Sequence, residues 1–205
     1  MSYIDYNRTL VYYSRMRTKD ENKNESIFNA TIQLINEIGL AETSMSKIAK
    51  KAKVSASTIY VYFENKEDLL NKLYLNVKRK MSEAVFYQID ETAPIREVFE
   101  NYIRKFVEFT LANKEYFLVI EQFHISPILK KISQDEIMEM SEPFWRLFEA
   151  GKEQQVFKQV DTNLLVIFSF QPVMQVVKEH LNGTFKIEES TLTHVIQMSW
   201  DAVKI

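Results

Sequence analysis

The sequence predicts an all-α protein, with an N-terminal three-helix helix-turn-helix head on a larger C-terminal helical bundle and about nine helices in total. Three observations lead there. Only 3 Gly and 4 Pro interrupt 205 residues, a scarcity of chain breakers that favours long helices. The hydrophobic content of 46% is enough to bury a core in one or two domains. Apolar residues recur at three- and four-residue spacing almost throughout, with no repeat of fixed period.

The elements follow in order. From Asn24, a stripe of Ile27, Ala30, Leu34, Ile35 and Ile38 marks a helix that Gly39 stops. Ser44 or Thr43 can cap a short helix, Met45 to Ala52, that buries Met45, Ile48, Ala49 and Ala52. Ser55 caps a second short helix, Ala56 to Tyr62, with Ile59 and Phe63 turned inward. Asn65 caps a third, and Asp68 three residues later gives a start like a capping box. That helix is expected to run to about Ile89. Pro94 suits the first turn of the next, Ile95 to about Leu111. Further helices are expected over Tyr116 to Phe123, Gln134 to Glu153, Thr162 to Leu181 and Glu188 to Val203. Pro172 lies inside the third of these, where a missing donor and a crowded turn predict a kink.

Composition excludes several classes of function. With no Cys there are no disulfides, no thiol catalysis and no thiolate metal sites, which suits the reducing cytoplasm, the expected location. His124, His180 and His194 lack metal-ligand spacing, so no metal or cofactor is expected. No phosphate-cradling Gly loop and no nucleophile motif is present, and an enzyme is not expected. The longest apolar run, Leu164 to Val177, contains Gln171 and Pro172 and falls short of the roughly 20 residues that cross a bilayer, so no membrane partner is expected. Charge is divided unevenly. Residues 1–82 carry 14 Lys and Arg against 9 Asp and Glu, and the remainder carries 12 against 19. A basic end joined to an acidic body suggests nucleic-acid binding at the first.

The stretch Thr43 to Leu70 gives that suggestion its chemistry. A helix-turn-helix must put one short helix into a major groove only about 12 Å wide, with compact side chains at its N-terminal turn. Ala56, Ser57 and Tyr60 meet that need, while Thr58 and Tyr62 face the flanking phosphates. The helix starts at Ser44, Ser55 and Asn65 offer unpaired backbone N–H groups to phosphate oxygens. Lys66 in a first turn opposes the helix dipole, and either a phosphate partner or plain solvation accounts for it. Residues 1–22 differ from the rest, with Tyr3, Tyr6, Tyr12 and Tyr13 among Arg8, Arg15, Arg17 and Lys19. They form an extension that is either a basic arm for the minor groove or a segment without a role in binding.

In Gly39, Thr43-Ser44-Met45, Ile48-Ala49, Ala52-Lys53-Val54-Ser55, Thr58-Ile59-Tyr60-Val61-Tyr62-Phe63 and Asn65-Lys66-Glu67-Asp68-Leu69-Leu70, the chain resembles the TetR family of transcriptional regulators. The resemblance covers about Glu25 to Leu75. It implies a DNA-binding domain over 23–75 and a ligand-binding and dimerisation domain over 76–205. It also implies that Ser46, Ala56, Ser57 and Tyr60 face bases, while Ser44, Thr58, Tyr62 and Lys66 face phosphates. Three positions depart from the family pattern. Lys53 replaces the usual turn Gly, which forces a positive φ on a residue with a side chain and adds a charge beside the DNA phosphates. Tyr62 stands where His is common. Ala56 and Ser57 are small, which shifts weight from direct base reading to operator shape.

The resemblance further implies a homodimer on a palindromic operator, with a small-molecule effector in the body that changes the spacing of the two heads. Repression relieved by an apolar or amphipathic ligand is the expected mode. The alternative is a co-activator or interaction module that acts through a protein or ligand partner with weak or no operator reading. Aromatics and Met can line a plastic apolar pocket, and the candidates are Phe106, Phe109, Phe117, Trp145, Phe148, Phe168 and Met174. Gln171, Gln175 and His124 could orient a ligand there. Each of these aromatics can equally be ordinary bundle core, and a lone His is as a rule a satisfied structural residue. In the last two helices, Leu165, Val173, Val176, Val177, Val195 and Met198 are the candidates for a four-helix dimer face.

Overall fold

The computed structural model describes residues 23–128 and 132–205, and the proposed arm at 1–22 lies outside the described residues. Among the described residues there are nine α-helices. The first, α1, spans 23–38. The others are α2 Met45–Ala52, α3 Ala56–Tyr62, α4 Lys66–Phe86, α5 Ile95–Ala112, α6 Lys114–His124, α7 Gln134–Glu153, α8 Thr162–Leu181 and α9 Glu189–Val203. The only β feature among them is an isolated antiparallel bridge between Phe157 and Lys204.

Two expected boundaries move, each for a local reason. Helix α4 stops at Phe86 because Gln88 takes a left-handed φ of 54°, which a right-handed helix cannot continue through. Helix α6 begins two residues early, because the break from α5 is the single residue Asn113, whose amide Nδ2 donates to the Phe109 carbonyl at 2.8 Å. Helix α8 is assigned as one helix across Pro172, and α7 likewise across Pro143.

The chain divides into two compact lobes. The head lobe holds the described chain up to Leu73 together with α6 from Leu118 onward. Ile27 and Ile35 of α1, Ile48 of α2, Ile59 of α3 and Leu69 and Leu73 of α4 are fully buried. Phe28 and Phe63 stack at 5.6 Å between ring centroids. Val119, Ile120 and Phe123 of α6 are buried too. Gln122 ties α6 to the end of α1, because its Nε2 donates to the Ile35 carbonyl at 3.0 Å and its Oε1 accepts from the Leu40 N–H at 2.9 Å. The Leu40 N–H lies past the last intrahelical bonds of α1, and the Ile35 carbonyl, which also accepts the Gly39 N–H at 2.8 Å, takes Gln122 as a second donor.

The body lobe holds Tyr74–Phe117 and Ile132–Ile205. Its core is largely aromatic. Phe99 packs edge-on against Phe148 and Trp200, and Phe157 sits among all three at centroid distances of 5.3 to 6.1 Å. Such pairs add about 0.5–1.5 kcal/mol each beyond area burial, which favours one fixed packing over a fluid one. Gly151 makes room for this cluster, since a Cβ there would lie 2.2 Å from the Phe157 ring. The last residues are tied in by Lys158 N–H to the Val203 carbonyl at 2.9 Å and Ile205 N–H to the Val156 carbonyl at 3.0 Å.

Candidate nucleic-acid interface

The joint between α2 and α3 is built from caps. Ser44, not Thr43, caps α2, its side chain accepting the Lys47 N–H. Thr43 turns inward instead and donates to the Gly39 carbonyl at 2.9 Å. At the other end Lys53 adopts φ 56° and ψ 39°, the left-handed conformation expected of it. The Val54 N–H reaches the Ala49 carbonyl and the Lys53 N–H the Lys50 carbonyl, the paired closure that ordinarily recruits Gly. A side chain in that conformation costs about 1–2 kcal/mol. Ser55 then caps α3, accepting from the Thr58 N–H at 3.1 Å.

Only Ile59 of α3 is fully buried, and Ala56, Ser57, Tyr60 and Val61 of this seven-residue helix are exposed. Ala56 and Ser57 are exposed at its start, and Tyr60 is 56% exposed one turn on. Ser46 is exposed on α2 and its hydroxyl lies 3.1 Å from that of Ser44. The Ser57 hydroxyl pairs with Ser55 at 2.7 Å, and Thr58 Oγ1 with Ser55 at 2.8 Å. Each keeps a free lone pair or proton for a phosphate or base edge. Thr58 and Tyr62 are half-buried and Lys53 is exposed. Val61, 77% exposed, was not singled out from the sequence. It lies two residues on from the buried Ile59, about 200° around the helix, which places it on the outer face.

At the start of α4, Asn65 Oδ1 accepts the Asp68 N–H at 2.9 Å, as a cap should. Asp68 reaches back one residue further than a capping box would, to the Glu64 N–H at 3.0 Å. Lys66 has a protein partner that the sequence did not suggest. Its ammonium donates to the Leu40 and Ala41 carbonyls, both at 3.3 Å. Partial burial holds it below the usual lysine range, with Glu42 pulling the other way. The carbonyls beyond α1 therefore offset the unfavourable dipole at the start of its own helix, and one of its three N–H donors is left for a phosphate.

The body residues named from the sequence fall into separate groups. Phe106 and Phe148 are buried core, Phe106 against Phe170 at 4.6 Å, and Phe117 is buried as well. Phe109 stacks on Tyr116, and Met174 packs against the core. His124 is exposed and belongs to the head lobe. Phe168, 61% exposed, shares an outer stripe of α8 with Gln171, Gln175 and Leu164. Leu165, Val173 and Val177 are buried inside their own lobe, Val176 and Val195 are half-buried, and Met198 is 72% exposed. Helix α8 is apolar on nearly every side, so periodicity could not separate the inner face from the outer. Trp145 is the one candidate that lines a cavity of about 460 Å³ between α5 and α7. Among the described residues no helix is long and apolar enough to cross a membrane, and no three acidic or His side chains gather as metal ligands.

Comparison with known proteins agrees with this arrangement. Residues 27–73 match the family profile described as bacterial regulatory proteins, tetR family. Residues 94–204 match the profile described as tetracyclin repressor-like, C-terminal domain. A Haemophilus influenzae protein named uncharacterized HTH-type transcriptional regulator is 27% identical over 92% of this chain and 100% of its own length. The structure of a putative transcriptional regulator TetR family protein from Vibrio parahaemolyticus is 30% identical, with a TM-score of 0.77, over 88% of this chain and 98% of that one. The Bacillus subtilis transcriptional regulator FadR, solved in complex with stearoyl-CoA, has a TM-score of 0.70 over 87% of this chain and 98% of its own, and at 22% identity it shares the fold. Head, joint and body together place the protein: the chain belongs to the TetR family and is a helix-turn-helix, DNA-binding transcriptional regulator.

Proposed function

We propose that the protein is a cytoplasmic, homodimeric repressor, that it binds a palindromic operator, and that a small apolar or amphipathic ligand in the body releases it. The observation that carries the DNA part is the exposed start of α3, where Ala56, Ser57 and Tyr60 stand outside while Ile59 alone is buried. The capped starts of α2 and α4 flank it with backbone N–H groups suited to phosphate oxygens. The outer stripe of Leu164, Ile167 and Phe168 on α8, with Met198 on α9, supports self-association, because apolar side chains of that size rarely stay in water. Two heads on one palindrome should contact half-sites about 34–36 Å apart, or a multiple of that.

The test is a gel shift with the DNA upstream of the protein's own gene, titrated with salt. Tyr60→Ala should weaken the cognate site more than random DNA, by about 1–3 kcal/mol. Equal loss on both would remove Tyr60 from base reading, and no sequence preference at any salt would overturn the proposal.

A further inference from the structure

The cavity between α5 and α7 has a floor and a rim of different chemistry. Ile95, Val98 and Leu147 form a buried apolar floor. The rim carries the carboxylates of Glu91, Glu142, Glu149 and Glu153 against one cation, Arg146. That cation is already engaged. Its Nη2 donates to both Glu91 oxygens at 2.8 Å, and its Nη1 pairs with Glu142. Glu149 is held by Lys152 at 2.9 Å. The rim is therefore left with an excess of negative charge, and an anionic ligand would have to displace carboxylates from the only guanidinium that could receive it.

A second, independent observation lies at the base of the same cavity. Tyr102 lines it, is 1% exposed, and its hydroxyl has no partner at full hydrogen-bond geometry, with only the Glu91 carboxylate, itself an acceptor, close enough to act on it as a partner. Burial pushes the phenol well above its ordinary range, and the Glu91 carboxylate beside it pushes further, although Arg146 occupies both Glu91 oxygens. An unpaired hydroxyl in an apolar wall is costly unless something fills its place. Its oxygen is an acceptor with no donor, beneath a rim that is short of positive charge.

We propose that this cavity takes an amphipathic organic ammonium ion, whose apolar part rests on Ile95, Val98 and Leu147 and whose N–H groups reach the Tyr102 oxygen and the Glu91 and Glu142 carboxylates. The inference rests on reading the chain as a ligand-responsive regulator and names the class of its effector. Trp145 lines the same cavity and adds an aromatic ring, a side chain that attracts cations.

Isothermal titration of the full chain with decylammonium, decanol and decanoate tests it, because the three share one apolar tail. Decylammonium should bind about fivefold more tightly than decanol, and decanoate more weakly than either. Added salt should reduce the decylammonium advantage and leave decanol unchanged. Tyr102→Phe removes only the unpaired hydroxyl, so the variant should melt no lower than the parent and yet bind decylammonium about threefold to fivefold more weakly. Glu91→Gln with Glu142→Gln should abolish the preference for the cation. Equal or tighter binding of decanoate overturns the assignment, and so does a Tyr102→Phe variant with undiminished affinity. Operator binding by the ligand-free protein is scored separately. Its absence would count against the regulator reading, whereas intact operator binding with no cation preference would sink only the effector class.

Discussion

The Lys66 ammonium donates to the Leu40 carbonyl at 3.3 Å, so the residue at the start of α4 that we propose for phosphate contact also holds the loop that follows α1. Lys66→Ala should therefore do two things. It should lower stability by about 1 kcal/mol, through loss of hydrogen bonds to Leu40 and Ala41. It should also flatten the dependence of operator affinity on salt by about one counterion. Chemical denaturation reads the first effect and a salt-titrated binding assay the second. A lower midpoint with an unchanged salt slope would confine Lys66 to the protein interior.

Lys53 spends its left-handed φ of 56° on closing α2. Lys53→Gly should melt higher than Lys53→Ala, with the pair separated by about 1 kcal/mol, because both lose the charge and only Ala keeps the strained Cβ. Equal melting temperatures would mean that the turn relaxes when the side chain is cut back.

Gly151 faces the opposite constraint, one of space. Its added Cβ would meet the Phe157 ring at 2.2 Å, against a ring that is itself packed on Phe99, Phe148 and Trp200. Gly151→Ala should cost about 1–3 kcal/mol as the aromatic cluster shifts. Thermal denaturation of the variant checks it, and an unchanged midpoint would mean that Phe157 has somewhere else to go.

High pH should expose two phenols. Burial pushes Tyr74 up to about 12 from an ordinary 10.0, and Tyr102 is raised as well. Above the ordinary value the unfolded chain gives up these protons while the native one keeps them. Their contribution to stability is full below that value and is lost as pH climbs towards 12. Phenolate absorbance should show late-titrating tyrosines that ionise together with unfolding. If all 10 Tyr ionise before the fold is lost, the burial of Tyr74 and Tyr102 is not maintained in solution.

The head was legible because its signals are local. Ser44, Ser55 and Asn65 are caps whose partners lie three residues away, and the bounds of α2 and α3 follow from them. Contacts between distant parts of the chain were not legible. Nothing near Gln122 announces that it serves Ile35 and Leu40, more than eighty residues earlier, and nothing near Leu118 announces that α6 passes into the head lobe. The body misled for a different reason. Phe106, Phe148 and Phe168 are the same residue type in equally apolar surroundings, yet two are core and one is outside. The cavity was missed because its marks are Tyr102 and a set of glutamates, residues that read from sequence as core and solvated surface.

Because α3 is anchored by Ile59 and by the Ser55 cap, its outward side chains contribute little to folding. Ala56, Ser57, Tyr60 and Val61 can then be exchanged with little effect on the stability of the head. On the proposed reading of α3 as the base-facing helix, a lineage carrying this gene is free to drift from one operator to another by single substitutions, each tolerated by the fold before it is tested by the promoter. The same freedom makes those four positions a natural library for retargeting the protein to a chosen DNA sequence.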